Sequence, residues 1–265
     1  MQFYKYHGTG NDFIIIERGD RSEAELPELA RKLCHRKFGI GADGLMLAEP
    51  SAVAEIKMRY WNQDGSVAPM CGNGIRVFTR YVVETGKLAK TAFNVETLAG
   101  IMPVTISQAY DRLSVNLGKP RYDLTLDEAA GSGKVSLEVN GRVYDLELLF
   151  LGTLHAVVLG KAFVPEVDAA ALCQHRFFPG GINVNFVEVM DRDHLTLKTY
   201  ERGVGYTLAC GTGAASAQVI AHNKGLTNAK AIIKNEGGDL TVETGNGVTL
   251  TGPAVRIAKG ETEIE

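Results

Sequence analysis

Cys71-Gly72-Asn73-Gly74 and Cys210-Gly211-Thr212-Gly213 are two versions of one phrase, and each runs directly into a helical pattern of small or apolar residues. After Gly74 the pattern is carried by Ile75, Phe78, Val82 and Val83 and stops near Gly86; after Gly213 it is carried by Ala214, Ala215, Ala217, Val219, Ile220 and Ala221. Helices this apolar belong inside a fold, not on its surface. The spacing points to a duplication, since 210 − 71 and 173 − 34 both give 139 and so place all four cysteines in register. At that offset Leu33 falls on Leu172, Phe38 on Phe177, Gly41 on Gly180, Trp61 on Tyr200, Gly74 on Gly213 and Gly86 on Gly225. The chain therefore reads as two similar halves, each holding one buried helix that begins at a cysteine.

Working outward, the alternating apolar residues of 3–16 predict an opening strand pair, or a single strand, interrupted by His7-Gly8-Thr9-Gly10-Asn11-Asp12. Residues 25–38 and about 167–178 predict helices, with Leu26, Leu29, Ala30 and Leu33 on one face of the first. Strands are expected at 45–48, 54–61, 93–117, 135–139, 143–150, 155–159, 183–190, 195–200 and 232–257. The polar, glycine-bearing stretch 118–133 is the expected crossing between halves, giving 1–117 and 118–257. Many strands with one central helix per half predict an α+β fold, not a parallel α/β sheet.

Composition narrows the function classes. A length of 265 residues fits one large or two small domains, and a net charge of −3 without a basic tract leaves nucleic acid no electrostatic footprint. The first 16 residues lack the basic start and long apolar run of a secretory signal. The longest apolar stretch, 148–159, is interrupted by Gly152, Thr153 and His155, well short of the roughly 20 residues that span a bilayer. A cytoplasmic location with no membrane partner is expected, and there four cysteines read as thiols, not disulfides. Gly39-Ile40-Gly41-Ala42-Asp43-Gly44 matches the dinucleotide fingerprint, but here a helix precedes the glycines and the apolar strand Leu45-Met46-Leu47 follows. That is the reverse of the order the fingerprint needs, and a glycine turn closing a helix is the better reading.

Two thiols at helix starts suit one chemistry in particular. Inverting a stereocentre by proton transfer needs a base on one face of a carbon and an acid on the other, and a thiolate and a thiol exchange those roles. A helix start favours the thiolate, and its backbone N–H groups hold a carboxylate whose charge grows as the α-proton leaves. From a different class, a redox or metal protein using Cys71 and Cys210 is disfavoured, because no Cys-x-x-Cys pair or tight Cys/His cluster is present.

Met70-Cys71-Gly72-Asn73-Gly74-Ile75-Arg76, Tyr200-Glu201-Arg202-Gly203, Ala209-Cys210-Gly211-Thr212-Gly213-Ala214 and the opening Lys5-Tyr6-His7-Gly8-Thr9-Gly10-Asn11-Asp12-Phe13 resemble the signatures of the diaminopimelate epimerase family, in order over essentially the whole chain. The resemblance implies two pseudo-symmetric halves, each a curved, mostly antiparallel sheet wrapped round a central helix, with the active site in the cleft between them. It also implies that the last strand, about 258–265, completes the N-terminal half. The implied enzyme is a homodimer that interconverts LL- and meso-diaminopimelate without cofactor or metal.

By position, Cys71 and Cys210 are then the acid–base thiols, and the N–H groups of Gly72, Asn73, Gly211 and Thr212 hold the reacting carboxylate. Asn11 and Glu201 fall near the reacting amine. Asn62, Asn183 and Arg202 bind the distal amino-acid end, and His155 lies beside the thiols. Thr153 stands where the family pattern has asparagine, Tyr206 where a glutamate is common and Gly44 where a glutamine is common. These departures bear on the distal pocket and keep a proline-, histidine- or glutamate-type substrate as the alternative. Proline racemase usually has histidine after Cys-Gly, where this chain has Asn73, and the phenazine-type isomerases lack the thiol pair.

Overall fold

Residues Gln2–Gly8 and Asn11–Ile16 form β1 and β2, an antiparallel hairpin turned by Thr9 and Gly10 at φ of 50° and 89°. The computed structural model describes residues 1–161 and 164–264, so residue 265, the end of the expected closing strand, lies outside the described residues. The chain divides into two units, 1–115 with 252–265, and 116–251; the expected crossings stood at 117/118 and 257/258.

In the first unit β2 is followed by α1 (Leu26–Cys34), β3 (Gly44–Glu49), β4 (Ile56–Asn62), α2 (Gly72–Glu84), β5 (Ala92–Thr97), β6 (Gly100–Ile106) and β7 (Leu113–Asn116). The second holds β8 (Lys134–Val139), β9 (Arg142–Leu151), β10 (Thr153–Leu159), α3 (Glu166–Cys173), β11 (Asn183–Val189), β12 (His194–Glu201), β13 (Gly205–Thr207), α4 (Gly211–Asn223), β14 (Lys230–Lys234), β15 (Leu240–Thr244) and β16 (Val248–Gly252). The chain then returns to the first unit as β17 (Val255–Glu261), antiparallel to β1.

Each unit repeats one sheet order. In the first it runs β17-β1-β2-β3-β4-β5-β6-β7, with only β2–β3 and β4–β5 parallel. In the second it runs β8-β9-β10-β11-β12-β14-β15-β16, with only β10–β11 and β12–β14 parallel, and β13 is a short addition beside β12. The fold is thus the α+β arrangement of two pseudo-symmetric halves, and β8 and β17 occupy the same place in their sheets.

The cysteine-started helices are the hubs of their units. α2 packs against β1, β2, β3 and β6 and buries Ile75, Val77, Phe78, Tyr81 and Val82; α4 packs against β9 to β12, β14 and β15 and is buried from Gly211 to Ala221. Both close on a glycine in the left-handed region, Gly86 (φ 74°) and Gly225 (φ 70°). The following N–H groups return to Val82 and Val83, and to Ala221 and His222, the hydrogen-bond pattern of a Schellman stop.

α1 and α3 are shorter than their apolar patterns predict. α1 stops at Cys34 because the chain must turn: Gly41 and Ala42 donate to the Leu33 and Cys34 carbonyls at 2.9 and 3.1 Å, and Phe38 is left exposed. α3 stops at Cys173, whose carbonyl accepts from Ile182 at 2.9 Å. The fingerprint-like glycines 39–44 therefore join a helix to the start of β3, as the order of patterns predicts. α1 covers Ile14, Leu45, Leu47 and Trp61, while the core under α3 includes Leu146, Leu154, Val184 and Phe186.

Candidate active site

Both cysteines are N-caps. Cys71 (φ −141°, ψ 128°) and Cys210 (φ −113°, ψ 115°) have extended backbone, and each Sγ accepts the N–H three residues on, from Gly74 and Gly213, at 3.4 Å. A sulfur that accepts a backbone N–H at a helix start is a sulfur whose anionic form is stabilised. Gly72, Asn73, Gly211 and Thr212 form the first turns of the two helices, and the N–H groups at a helix start favour anions. All four cysteines are thiols; Cys71 is half-buried and Cys210 is buried. Burial pushes the Cys34 thiol up to about 12 and Cys173 upward too, which makes both inert packing residues.

In the first unit Cys71 Sγ lies 3.5 Å from Asn11 Oδ1. The Asn11 amide is oriented by donating to Asp43 Oδ2 at 2.6 Å, and Asp43 is held by Arg36 at 2.6 Å. Asn73 is buried, with Thr9 Oγ1 at 3.3 Å and Arg76 Nη2 at 3.1 Å both donating to its Oδ1. Asn62 closes β4, taking the Tyr60 hydroxyl at 2.8 Å and donating to Ser66 Oγ at 3.0 Å. Within this unit the structure brings Cys71, Gly72, Asn73 and Asn11 together, and Asn62 stands across β3 from β2 at the same end of the sheet.

In the second unit Thr212 Oγ1 lies 3.6 Å from Cys210 Sγ. Thr153 and His155 open β10, Asn183 opens β11 opposite His155, and Glu201 closes β12. Arg202 donates its backbone N–H to Asn183 Oδ1 at 2.9 Å and its Nη1 to the Gly180 carbonyl at 2.9 Å, and Thr207 donates to Glu201 Oε1 at 2.6 Å. These five residues thus share one end of the sheet.

His155 is completely buried, and that burial pushes it down to about 3, so it is neutral at physiological pH. Its tautomer follows from its neighbours. Thr199 donates to Asn185 Oδ1 at 3.0 Å, which turns the Asn185 amide nitrogen toward the Ala156 carbonyl at 2.9 Å and toward His155 Nδ1 at 3.1 Å. Nδ1 accepts, and the proton sits on Nε2. Asn185, Thr199 and Arg76 take part in the helix-start geometry, yet no motif flagged them by role. For Arg76 there was a signal, a cation at the fifth position of the helix, a turn before Arg80, which unlike Arg76 has a glutamate, Glu84, four residues on.

The departures from the family pattern have local causes. Tyr206 turns into its own unit, donating to the Val164 carbonyl at 2.7 Å and stacking edge-on with Tyr200. Gly44 is pressed against the ring of Tyr60: a Cβ there would lie 2.5 Å from Cε2 and 2.7 Å from the Trp61 carbonyl, so no larger residue fits. No group of three or more His, Cys, Asp or Glu able to hold a metal occurs among the described residues. No helix among them is long and apolar enough to cross a membrane.

The solved structures this chain is similar to include a hydroxyproline epimerase from Agrobacterium vitis, with a TM-score of 0.72 and 16% identity over 98% of this chain and 91% of that one. A phenazine biosynthesis protein of the PhzF family from Bacillus anthracis matches with a TM-score of 0.68 and 18% identity over 100% and 99%. At such identities these establish the fold alone. In sequence, the diaminopimelate epimerase of Moorella thermoacetica is 40% identical over 283 residues, covering 100% of both chains. That of Archaeoglobus fulgidus is 40% identical over 275 residues, covering 98% of this chain and 95% of its own. The family model described as diaminopimelate epimerase matches residues 3–122 and 154–257, the stretches that carry both cysteine-capped helices. The chain belongs to the diaminopimelate epimerase family.

Proposed function

We propose that this chain interconverts LL- and meso-diaminopimelate by exchanging the α-proton between Cys71 and Cys210, without a cofactor. The observation that carries this reading is the pair of cysteine-capped, 13-residue helices, each with its sulfur on a backbone N–H and its glycine-opened first turn presenting anion-binding amides. One cysteine, as thiolate, takes the α-hydrogen and becomes a thiol. The electron pair left on carbon delocalises into the carboxylate, held by the N–H groups of Gly72, Asn73, Gly211 and Thr212. The other cysteine, as thiol, gives a proton to the opposite face and becomes the thiolate, so the enzyme returns to its starting charge with the roles exchanged.

Around that step, Asn11 and Glu201 receive the reacting amine, while Asn62, Asn183 and the Arg202 fork receive the distal amino-acid end. Neutral His155 lies beside the thiols with a buried Nε2–H that has no acceptor among the described residues, and Thr153 supplies a hydroxyl. Working thiols suit a reducing compartment, and a cytoplasmic homodimer belongs to the same reading.

Proton exchange in deuterated water tests it. Deuterium is expected to enter the α-carbon of LL-diaminopimelate as the meso form accumulates, while proline, histidine and glutamate stay unlabelled. Labelling of one of those three, with diaminopimelate untouched, would replace the substrate and keep the chemistry; no labelling of any would remove both.

A further inference from the structure

Arg76 is 1% exposed, and all its hydrogen-bond partners are neutral. Nη1 donates to the Gly72 carbonyl at 2.9 Å, Nη2 to Asn73 Oδ1 at 3.1 Å and Thr9 Oγ1 at 3.3 Å, and Nε to the Pro253 carbonyl at 3.5 Å. A guanidinium stays protonated, and one buried without a carboxylate is costly unless an anion repays its desolvation. Two of the Arg76 partners, Gly72 and Asn73, follow Cys71 directly, and theirs are among the N–H groups that hold the reacting carboxylate under the proposed function. Thr9 reaches it from a left-handed backbone (φ 50°) rare for a β-branched residue, a strain that fits a position fixed for function. Burial lowers Arg76 to about 10 and the neighbouring Cys71 raises it, which leaves the guanidinium charged at neutral pH.

We infer that Arg76 is a positioning residue of the Cys71 helix start, which locks the Gly72–Asn73 turn and supplies the buried positive charge that makes Cys71 the thiolate of the resting enzyme. This rests on the two-thiol reading above. Other charges on the elements around α2 are already committed. Lys5 of β1 pairs with Asp12 of β2 at 3.1 Å, and Arg36 binds Asp12 and Asp43 at 2.8 and 2.6 Å. The Asn11 amide stands between Asp43 and Cys71, and His7 of β1 accepts the Gly10 N–H. Tyr6 and Arg80 both donate to Glu84 at the far end of α2, and β6 carries no ionisable side chain.

Alkylation of Cys71 by iodoacetamide from about pH 5 to about pH 10, in protein carrying Cys210→Ala, reads its thiolate fraction directly. The buried Cys34 and Cys173 stay silent. Arg76→Met is expected to raise the midpoint by about one unit and slow alkylation at neutral pH about tenfold, while Arg76→Lys keeps most of the native midpoint. An unchanged midpoint in Arg76→Met, or equal shifts in the Met and Lys variants, overturns the inference. Should Arg76→Met not fold, Arg76→Gln, which keeps a donor for Asn73, takes its place under the same criteria. Should neither fold, a Cys71 midpoint in the Arg76 protein at or above the free-thiol value of about 8.5 overturns it, and one below supports it. None of this requires turnover, so protein that shows the shift but leaves diaminopimelate unlabelled sinks the proposed function and spares the role of Arg76, and the converse holds.

Discussion

The two helix starts have one backbone design and opposite surroundings. Under Gly74 lie Met46 and Phe13, and under Gly213 lie Asn185 and Thr199. Strand register makes these counterparts: Phe13 and His155 oppose Gly44 and Asn183, the openings of β3 and β11, so Phe13 matches His155, Met46 matches Asn185 and Tyr60 matches Thr199. One cysteine thus sits over an apolar floor beside a buried guanidinium, while the other sits over a neutral hydrogen-bonded floor on a helix with no cation before His222. A duplicated scaffold fixes the sulfur, the cap and the glycine, and leaves the polarity beneath them to diverge. A reaction with two unlike faces needs that freedom.

The widest expected effect asks whether the two starts are equally necessary. Cys71→Ala and Cys210→Ala are each expected to slow interconversion by about 10²–10⁴-fold with the fold retained, as polarimetry and circular dichroism would record. Near-normal turnover in either would make the comparison one between a working half and a relic. Next come the glycines. At Gly213 a Cβ meets the locked Asn185 amide and, at 3.0 Å, Thr199 Oγ1; at Gly74 it meets the flexible tip of Met46. Gly213→Ala is expected to cost about 2–3 kcal/mol and Gly74→Ala about 1 or less in urea unfolding, the methionine yielding and alanine gaining helix propensity. Equal costs would mean the floors differ in chemistry but not in stiffness.

The buried His155 gives the second unit an acid sensitivity. Its unfolded form binds a proton near pH 6.5 and its folded form only near 3, so below pH 6.5 the unfolded chain holds the extra proton and stability falls as pH drops. The slope should reach about 1.4 kcal/mol per pH unit and vanish in His155→Phe, the residue the first unit uses at Phe13; a slope that survives belongs to other groups. Smallest is Thr199→Val, which strips Asn185 Oδ1 of its donor at a cost of about 1 kcal/mol and leaves the amide held through its nitrogen alone. An unchanged melting curve would show that the Ala156 carbonyl alone sets that amide.

Much of this was legible from the cysteines outward. The Cys-Gly phrases, the apolar runs behind them and the closing glycines define both helices nearly to the residue. The strand counterparts were hidden because the offset of 139 drifts along the chain: the turn glycine Gly41 matches Gly181, not Gly180, and Asn11 matches Thr153. Read in register, the expected binding residues are copies of shared positions, Asn11 with Thr153, Asn62 with Glu201, and Gly44 with Asn183. Arg76 was invisible in role because nothing in a linear pattern shows that a cation on an apolar helix lacks a carboxylate partner. The ends of α1 and α3 were misjudged because apolar periodicity runs on through turns that glycines break.

The strand β17, last in the chain, borders β1, first in the chain, with Gln2 opposite Glu261. During synthesis the N-terminal unit therefore waits, one edge of β1 bare, until residues 255–261 have left the ribosome, whereas the strands of residues 116–251 are made before them. The later half is free to mature first, and loss of residues 255–261 would injure the half that was translated earliest.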